Sequence, residues 1–300
     1  MFKEYNEYLK YISKDKSSNT IANYSRSIES MLSYLKINSI EDIRNLTEND
    51  FENYQQHLLL TIQGKNKDTI KASTNTYFRN IETFIIWLVG KKHIQSNPMS
   101  MVKQLKEVNK EVKIYLTLDE CTKMIASARN LNEKLMLSVM FFQGLRRFEV
   151  SGLKKEDMLE DEIIVHGKGG KIEGQPLHPY VKEIYKQYLN YDKSNSEYLF
   201  ISKKGFGHNG NYRPITPKSV GERVQAVAKI ANIDPRKVDK VTAHTTRRSI
   251  ACNMALAGEP LEKIQGALRH SSSATTEIYL KPVMKELSRQ AINNIPSPTI

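Results

Sequence analysis

Cysteine is almost absent from this 300-residue chain. Cys121 and Cys252 stand far apart and in no Cys-x-x-Cys. That excludes a disulfide framework and a zinc knuckle, and makes a reducing cytoplasm the expected setting. Long apolar runs are missing as well. The longest, Phe84–Val89, is far too short to span a bilayer. The opening Met1-Phe2-Lys3-Glu4-Tyr5-Asn6-Glu7 lacks the apolar core of a secretory leader. There is no internal repeat, no low-complexity tract, no Gly-x-x-x-x-Gly-Lys-Ser/Thr loop for a nucleotide, and no acidic cluster spaced for a metal. Acidic residues are also in deficit: 33 Asp and Glu face 45 Lys and Arg, a net charge of +12. A basic excess of this size favours an anionic partner, nucleic acid first and an anionic membrane surface second. The excess is uneven. Residues 1–105 hold 14 basic and 11 acidic residues, net +3, whereas residues 106–300 hold 31 and 22, net +9.

What is present reads as a mainly α chain with a small β-sheet. Ile21, Tyr24, Ile28, Met31, Leu32 and Leu35 recur at helical spacing, as do Tyr77, Phe78, Ile81, Phe84, Ile85 and Leu88. Residues 1–95 therefore predict four or five amphipathic helices in a small bundle, with the aromatic stripe as its core. Asn97-Pro98 ends that region, and the charged stretch 103–113 has no apolar stripe and reads as a linker. Thr117-Leu118-Asp119-Glu120 is a capping box that opens a second domain. There, Leu131–Gln143 predicts an apolar helix stopped by Gly144. Glu162–His166 and Lys171–Leu177 predict a hairpin about Gly167-Lys168-Gly169-Gly170, and Tyr198–Ile201 predicts a further strand. Gly205–Pro214 reads as a loop. Helices are expected from Thr216-Pro217 to about Asn232, over Thr242–Leu256 and over Leu261–Leu268, with an amphipathic helix in the tail after residue 281.

Six residues in the second domain carry the chemistry: Arg146, Lys168, His244, Arg247, His270 and Tyr279. Each alone is ordinary. One of 15 tyrosines, a basic pair at a helix start or a lysine on a glycine turn is usually structural. Together they supply two fixed cations, a proton donor, two imidazoles and a phenol, which is what breaking a phosphodiester without a metal requires. The transition state gathers charge on the non-bridging oxygens, and arginine forks suit that charge. His244 and Arg247 lie three apart, on one face at a helix start that itself favours a phosphate. A phenol is a weak acid and needs nearby cations or a base to attack.

In this order, from Gly144-Leu145-Arg146 through Gly167-Lys168-Gly169 and His244-Thr-Thr-Arg247 to Leu268-Arg-His-Ser and Tyr279, the set resembles the tyrosine recombinase signature of phage integrases and Xer-like enzymes. The motifs cover roughly residues 112–281. The resemblance implies an α+β fold: a SAM-like core-binding helical domain over 1–102, a linker over 103–113, a catalytic domain over 114–281, and a tail over 282–300 that packs on a neighbouring protomer. It implies Tyr279 as nucleophile, Arg146 and Arg247 as the phosphate clamp with Arg147 and Arg248 as their neighbours and rivals, and Glu149 supporting Arg146. His270 is implied as a third donor and His244 as base or donor. Lys168 is the implied general acid, with Lys171 its alternative. No cofactor and no metal is implied. The expected partners are duplex DNA at an inverted-repeat site, a homotetramer on that DNA, and accessory recombination proteins, in the cytoplasm. Dimer resolution and mobile-element integration or excision both fit. Relaxation of a type IB topoisomerase kind, or DNA binding without cleavage, are the alternatives. Two departures stand out. Arg269 occupies a place where the family commonly has Gly, as a cation that either touches DNA or faces solvent, and Ile172–Leu177 departs from the usual strand after the hairpin turn.

Overall fold

A computed structural model describes residues 2–40, 42–64, 66–106, 113–206 and 212–295. Residues 107–112 of the expected linker, 207–211 of the expected loop and 296–300 of the expected tail lie outside the described residues, as does the side chain of Lys168. Chain contacts divide the molecule into two compact units, Met1–Glu111 and Val112–Ile300. Among the described residues no helix is long and apolar enough to cross a membrane.

The first unit is the expected bundle. Its helices are α1 (Phe2–Ile12), α2 (Ser18–Ile37), α3 (Glu48–Thr61) and α4 (Lys67–Gly90). Their starts are chemically marked. The Asp50 carboxylate accepts from the Thr47 N–H at 2.8 Å, and Asn66 Oδ1 accepts from the Thr69 N–H at 2.8 Å. The stripe on α4 is core: Ile81, Phe84, Ile85 and Leu88 are fully buried against Tyr8, Ile28, Met31 and Leu35. The buried Tyr54 hydroxyl is paired: Tyr54 Oη donates to Ser30 Oγ at 2.9 Å. The chain leaving the bundle is pinned to it. Gln55 donates to the Lys103 carbonyl at 3.0 Å, while Asn75 donates to the Leu105 carbonyl at 2.9 Å and accepts from its N–H at 3.0 Å.

The second unit opens with α5 (Leu118–Ala126), α6 (Leu131–Phe142) and α7 (Arg147–Gly152). The expected capping box is formed at α5: Thr117 Oγ1 accepts from the Glu120 N–H, and Glu120 Oε2 from the Thr117 N–H. Helix α6 runs through the middle of the core. Its Leu135, Met136, Leu137, Val139 and Met140 are fully buried, each worth about 1.5–3 kcal/mol relative to exposure. Strands β1 (Glu162–His166) and β2 (Ile172–Pro176) form the expected antiparallel hairpin in regular register, from Glu162 opposite Pro176 to His166 opposite Ile172. Gly169 and Gly170 turn it at φ 77° and 78°, which an L side chain rarely adopts. Then come α8 (Pro179–Tyr191), β3 (Ile201–Phe206), β4 (Tyr212–Pro214), α9 (Pro217–Ala228), α10 (Pro235–Val238), α11 (Ala243–Leu256), α12 (Leu261–Ala267), α13 (Ser273–Leu280) and α14 (Met284–Asn293).

Among the described residues the expected small β component is present as two two-stranded ladders, β1–β2 and β3–β4. Three expectations need correction. Tyr198–Phe200 is not a ladder strand. Leu199 and Phe200 plug the core, tied by single bonds from the Leu199 N–H to Leu153 O and from the Ile215 N–H to Phe200 O, each 2.9 Å. The strand begins where that plug ends, at Ile201, and both arms of the expected 205–214 loop carry strand residues. Helix α9 stops at Ala228, short of Asn232, which has positive φ just before Pro235.

Candidate active site

Gly144 starts the site. It takes φ +61° straight after α6, and a β-carbon there would come within 2.8 Å of Leu268 Cδ2. The turn brings Arg146 to the N-cap of α7. Arg146 Nη1 donates to Glu149 Oε1 at 2.8 Å, and its backbone N–H donates to Glu149 Oε2 at 2.7 Å. Arg147 lies exposed over the Phe148 ring instead. The two neighbours are thus separated: one guanidinium is aimed and the other solvated.

Helix α11 supplies the next group. Thr242 caps it, its hydroxyl accepting from the Thr245 N–H at 3.3 Å. Arg247, one turn further on, is 0% exposed. Its two terminal nitrogens donate to the carbonyls of Gly144 and Leu268, and Nε is buried without a hydrogen-bond partner. Burial first, then the neighbouring Arg146, lowers its pKa to about 10, so it stays charged at neutral pH. His244 sits at the exposed start of α11. Desolvation of its ring, then the cations Arg147, Arg248 and Arg247, hold it below the usual imidazole range. The cations thus act in the same direction as desolvation, disfavouring the imidazolium.

The third group comes from the end of α12. Leu268 closes the helix, and Arg269 follows at φ 51°. The Arg269 N–H bonds to Gly266 O at 2.9 Å and the His270 N–H to Gln265 O at 3.1 Å. That is a Schellman cap with arginine at the position that glycine fills most often. A non-glycine residue there costs roughly 1–2 kcal/mol. The Arg269 side chain is neither solvated nor free to reach outward, which corrects the sequence expectation. It is 7% exposed and pairs with Glu149 Oε2 at 2.9 Å, the carboxylate that also holds Arg146; Glu149 itself is 4% exposed. Its other arm donates to Gln175 Oε1 on β2. Burial pushes the Glu149 carboxyl up, but the Arg146 backbone N–H and the Arg269 and Arg146 guanidiniums outweigh it and hold the pKa below the usual range.

His270 is buried, with Nδ1 2.9 Å from Thr276 Oγ1. Burial, then Arg247, Arg146 and Arg269, lower it to about 4, so its ring is neutral at pH 7. Tyr279 lies in the last turn of α13, half-buried. Its ring stands at 90° to that of His270, centroids 5.2 Å apart, and Arg248 lies 5.6 Å from its centre. Arg248 also donates to the Ile114 carbonyl at 2.9 Å. Five of the six sequence candidates, Arg146, His244, Arg247, His270 and Tyr279, therefore share one electrostatic neighbourhood. The backbone of Lys168 sits on the hairpin turn, and Lys171 is exposed where the turn rejoins β2. Sequence reasoning missed Arg269, Gln175 and Thr276. Of these, Arg269 carried a signal as a departure at a glycine position, and Gln175 lies in the second departing stretch, Ile172–Leu177.

Residues 114–286, more than half of the chain, match the model of the phage integrase family. The chain belongs to that family. Residues 3–74 also match its N-terminal SAM-like domain. The family chain is 34% identical to tyrosine recombinase XerA of Pyrococcus horikoshii over 180 residues, 59% of each protein. It is 27% identical to XerC of Thermodesulfovibrio yellowstonii over 290 residues, 92% of this chain and 90% of that one. Its fold superposes on a lambda integrase(75–356) dimer bound to a COC' core site with a TM-score of 0.71 at 15% identity, covering 100% of this chain and 98% of that one. The crystal structure of XerA recombinase gives a TM-score of 0.54 at 21% identity, covering 99% and 100%.

Proposed function

We propose that this integrase-family chain is a site-specific tyrosine recombinase acting on duplex DNA. The observation that carries the reading is the convergence of Arg146, Arg247, His270 and Tyr279 from three distant segments around one carboxylate-braced cation cluster. The net +9 of residues 106–300 supports an anionic substrate. The relatives and structural neighbours named recombinase or integrase support the activity.

In the proposed step Tyr279 Oη attacks the scissile phosphorus and the P–O5′ bond breaks. The phenolic proton passes to a base, with His244, kept largely neutral by its surroundings, as the candidate. Lys168, or Lys171, protonates the departing O5′. The products are a 3′-phosphotyrosyl link and a free 5′-hydroxyl, and the link conserves the bond energy for rejoining. Arg146, 38% exposed, is the clamp that meets the phosphate oxygens directly. Arg247 acts from beneath as buried charge with one unpaired Nε–H. His270 is a neutral donor: when the Thr276 hydroxyl donates to Nδ1, the ring proton resides on Nε2. A 5′-hydroxyl from a second duplex then attacks the link, which gives strand exchange through a Holliday junction.

Four protomers on two inverted-repeat sites complete the proposal. The exposed Met284 and Ile292 of α14 support docking of the tail on a neighbour. The test is a suicide duplex nicked beside the scissile bond, so that the released fragment diffuses away. The chain should accumulate a covalent protein–DNA band and the Tyr279→Phe variant none. A band of equal strength from the variant removes the nucleophile assignment.

A further inference from the structure

We infer that Arg269 is a positioning residue for the reaction: it anchors Glu149 to β2, so that the guanidinium of Arg146 and the hairpin bearing Lys168 are held as one unit. The inference rests on the recombinase reading above and adds a residue to it.

Four observations carry it. First, Arg269 adopts a left-handed backbone conformation at φ 51°, where glycine would be relaxed. A side chain held in that conformation has a contact that compensates. Second, that contact is inward: the guanidinium is nearly fully buried and bonds Glu149 Oε2 at 2.9 Å and Gln175 Oε1. Third, Glu149 joins both its oxygens to Arg146; its Oε1 takes Arg146 Nη1 and its Oε2 the Arg146 N–H. A carboxylate anchored by a rigid fork on one side presents fixed geometry on the other. Fourth, Gln175 is itself fully engaged. Its Nε2 donates to Gln143 O at 3.2 Å and Ala267 O at 3.0 Å, and the Gln143 side chain in turn binds the Pro176 carbonyl and the His178 N–H. Arg269 thereby links the end of α6, the start of α7, the end of α12 and strand β2. Lys168 lies on the turn of the hairpin whose open end holds Gln175, so the same link that aims Arg146 also fixes the strand from which that turn is carried.

The Arg269 guanidinium is turned inward onto Glu149 and Gln175. It acts through Arg146, so its loss should be felt most where the charge on the phosphate is greatest. The variant of choice is Arg269→Gly, because glycine suits the backbone at this position and leaves the cap intact. Single-turnover cleavage is measured on a suicide duplex carrying either a normal phosphodiester or a neutral methylphosphonate at the scissile position. The expected result is a loss of about 10- to 100-fold on the phosphodiester and less than about threefold on the methylphosphonate, with unchanged duplex affinity. Arg269→Lys keeps the cation but cannot hold Glu149 and Gln175 together, and should fall between parent and Arg269→Gly. It also keeps the test decisive if the glycine variant does not fold. A readout without DNA accompanies this: the Nε–H resonance of Arg146 should be sharp in the parent and broadened in the variant. Equal loss on both substrates, or no loss in a folded variant with an unchanged Arg146 resonance, overturns the inference. Failure of the parent chain to cleave any duplex overturns the recombinase reading instead, and leaves the Arg146 resonance to judge the positioning role.

Discussion

Replacing Glu149 by Gln tests the electrostatic frame of the site. The change keeps the size of the side chain and removes its charge. In the parent, one carboxylate takes Arg146 Nη1 at 2.8 Å, the Arg146 N–H at 2.7 Å and Arg269 Nη2 at 2.9 Å. Without the charge, Arg269 remains buried as a cation that has lost its hydrogen-bonded anion. Breaking a buried pair from one side costs about 3–5 kcal/mol. For a unit of this size each kcal/mol moves the melting temperature by roughly 2–4 °C, so the transition of the second unit should fall by about 10 °C. Differential scanning calorimetry at pH 7 measures it. The double variant Glu149→Gln with Arg269→Gln removes both partners, and should be more stable than the sum of the two single changes predicts by at least ~1 kcal/mol. The acid limb should change too. The folded pKa of Glu149 lies below its unfolded value, so its contribution is present above the unfolded pKa and is lost as pH falls through the folded one. Glu149→Gln should lack that portion of the acid destabilisation. A drop smaller than about 1 kcal/mol, or simple additivity with Arg269→Gln, refutes the shared-carboxylate account.

Other outcomes follow from the same geometry. His270 has its pKa lowered from 6.5 to about 4. The unfolded chain therefore binds the proton more readily, and stability should decline as pH falls from about 6.5 to 4, by on the order of 3 kcal/mol; denaturant titrations across that window should show the decline, and His270→Gln should remove it. Gly144→Ala meets both a positive φ and Leu268 Cδ2 at 2.8 Å; a loss of roughly 1–3 kcal/mol is expected, with slower cleavage because the Gly144 carbonyl holds Arg247. For the general acid, Lys168→Ala should slow cleavage by roughly 10²–10⁴-fold on an ordinary duplex. It should recover on one whose leaving oxygen is replaced by sulfur, which needs no proton; recovery of Lys171→Ala instead would reassign the role.

The helical stripes of the bundle and the glycine hairpin were legible because periodicity and turn chemistry are local. Ile81, Phe84, Ile85 and Leu88 needed only a 3.6-residue repeat, and Gly169 and Gly170 only a demand for positive φ. Arg146 was separable from Arg147 by the position of Glu149 three residues on. What local pattern does not encode is where a segment is consumed. Tyr198–Phe200 has strand composition, yet its apolar side chains are spent filling the core against Leu153 and Ile215. Arg247 reads as a reaching cation, yet its terminal nitrogens close on two carbonyls 103 and 21 residues away. Arg269 reads as an added surface charge because its partners Glu149 and Gln175 lie 120 and 94 residues distant. Long-range pairing of buried charge is set by the assembled fold, and the sequence marks it only by an arginine where a left-handed turn would suit glycine.

Mapping the covalent bond itself tests the central claim most directly. The trapped protein–DNA adduct is digested with nuclease and trypsin, and the nucleotide-bearing peptide is sequenced by mass spectrometry. The account predicts a single modified peptide beginning at His270, with the nucleotide joined through its 3′-phosphate to Tyr279. An adduct on any other tyrosine, or a link through a 5′-phosphate, would contradict it.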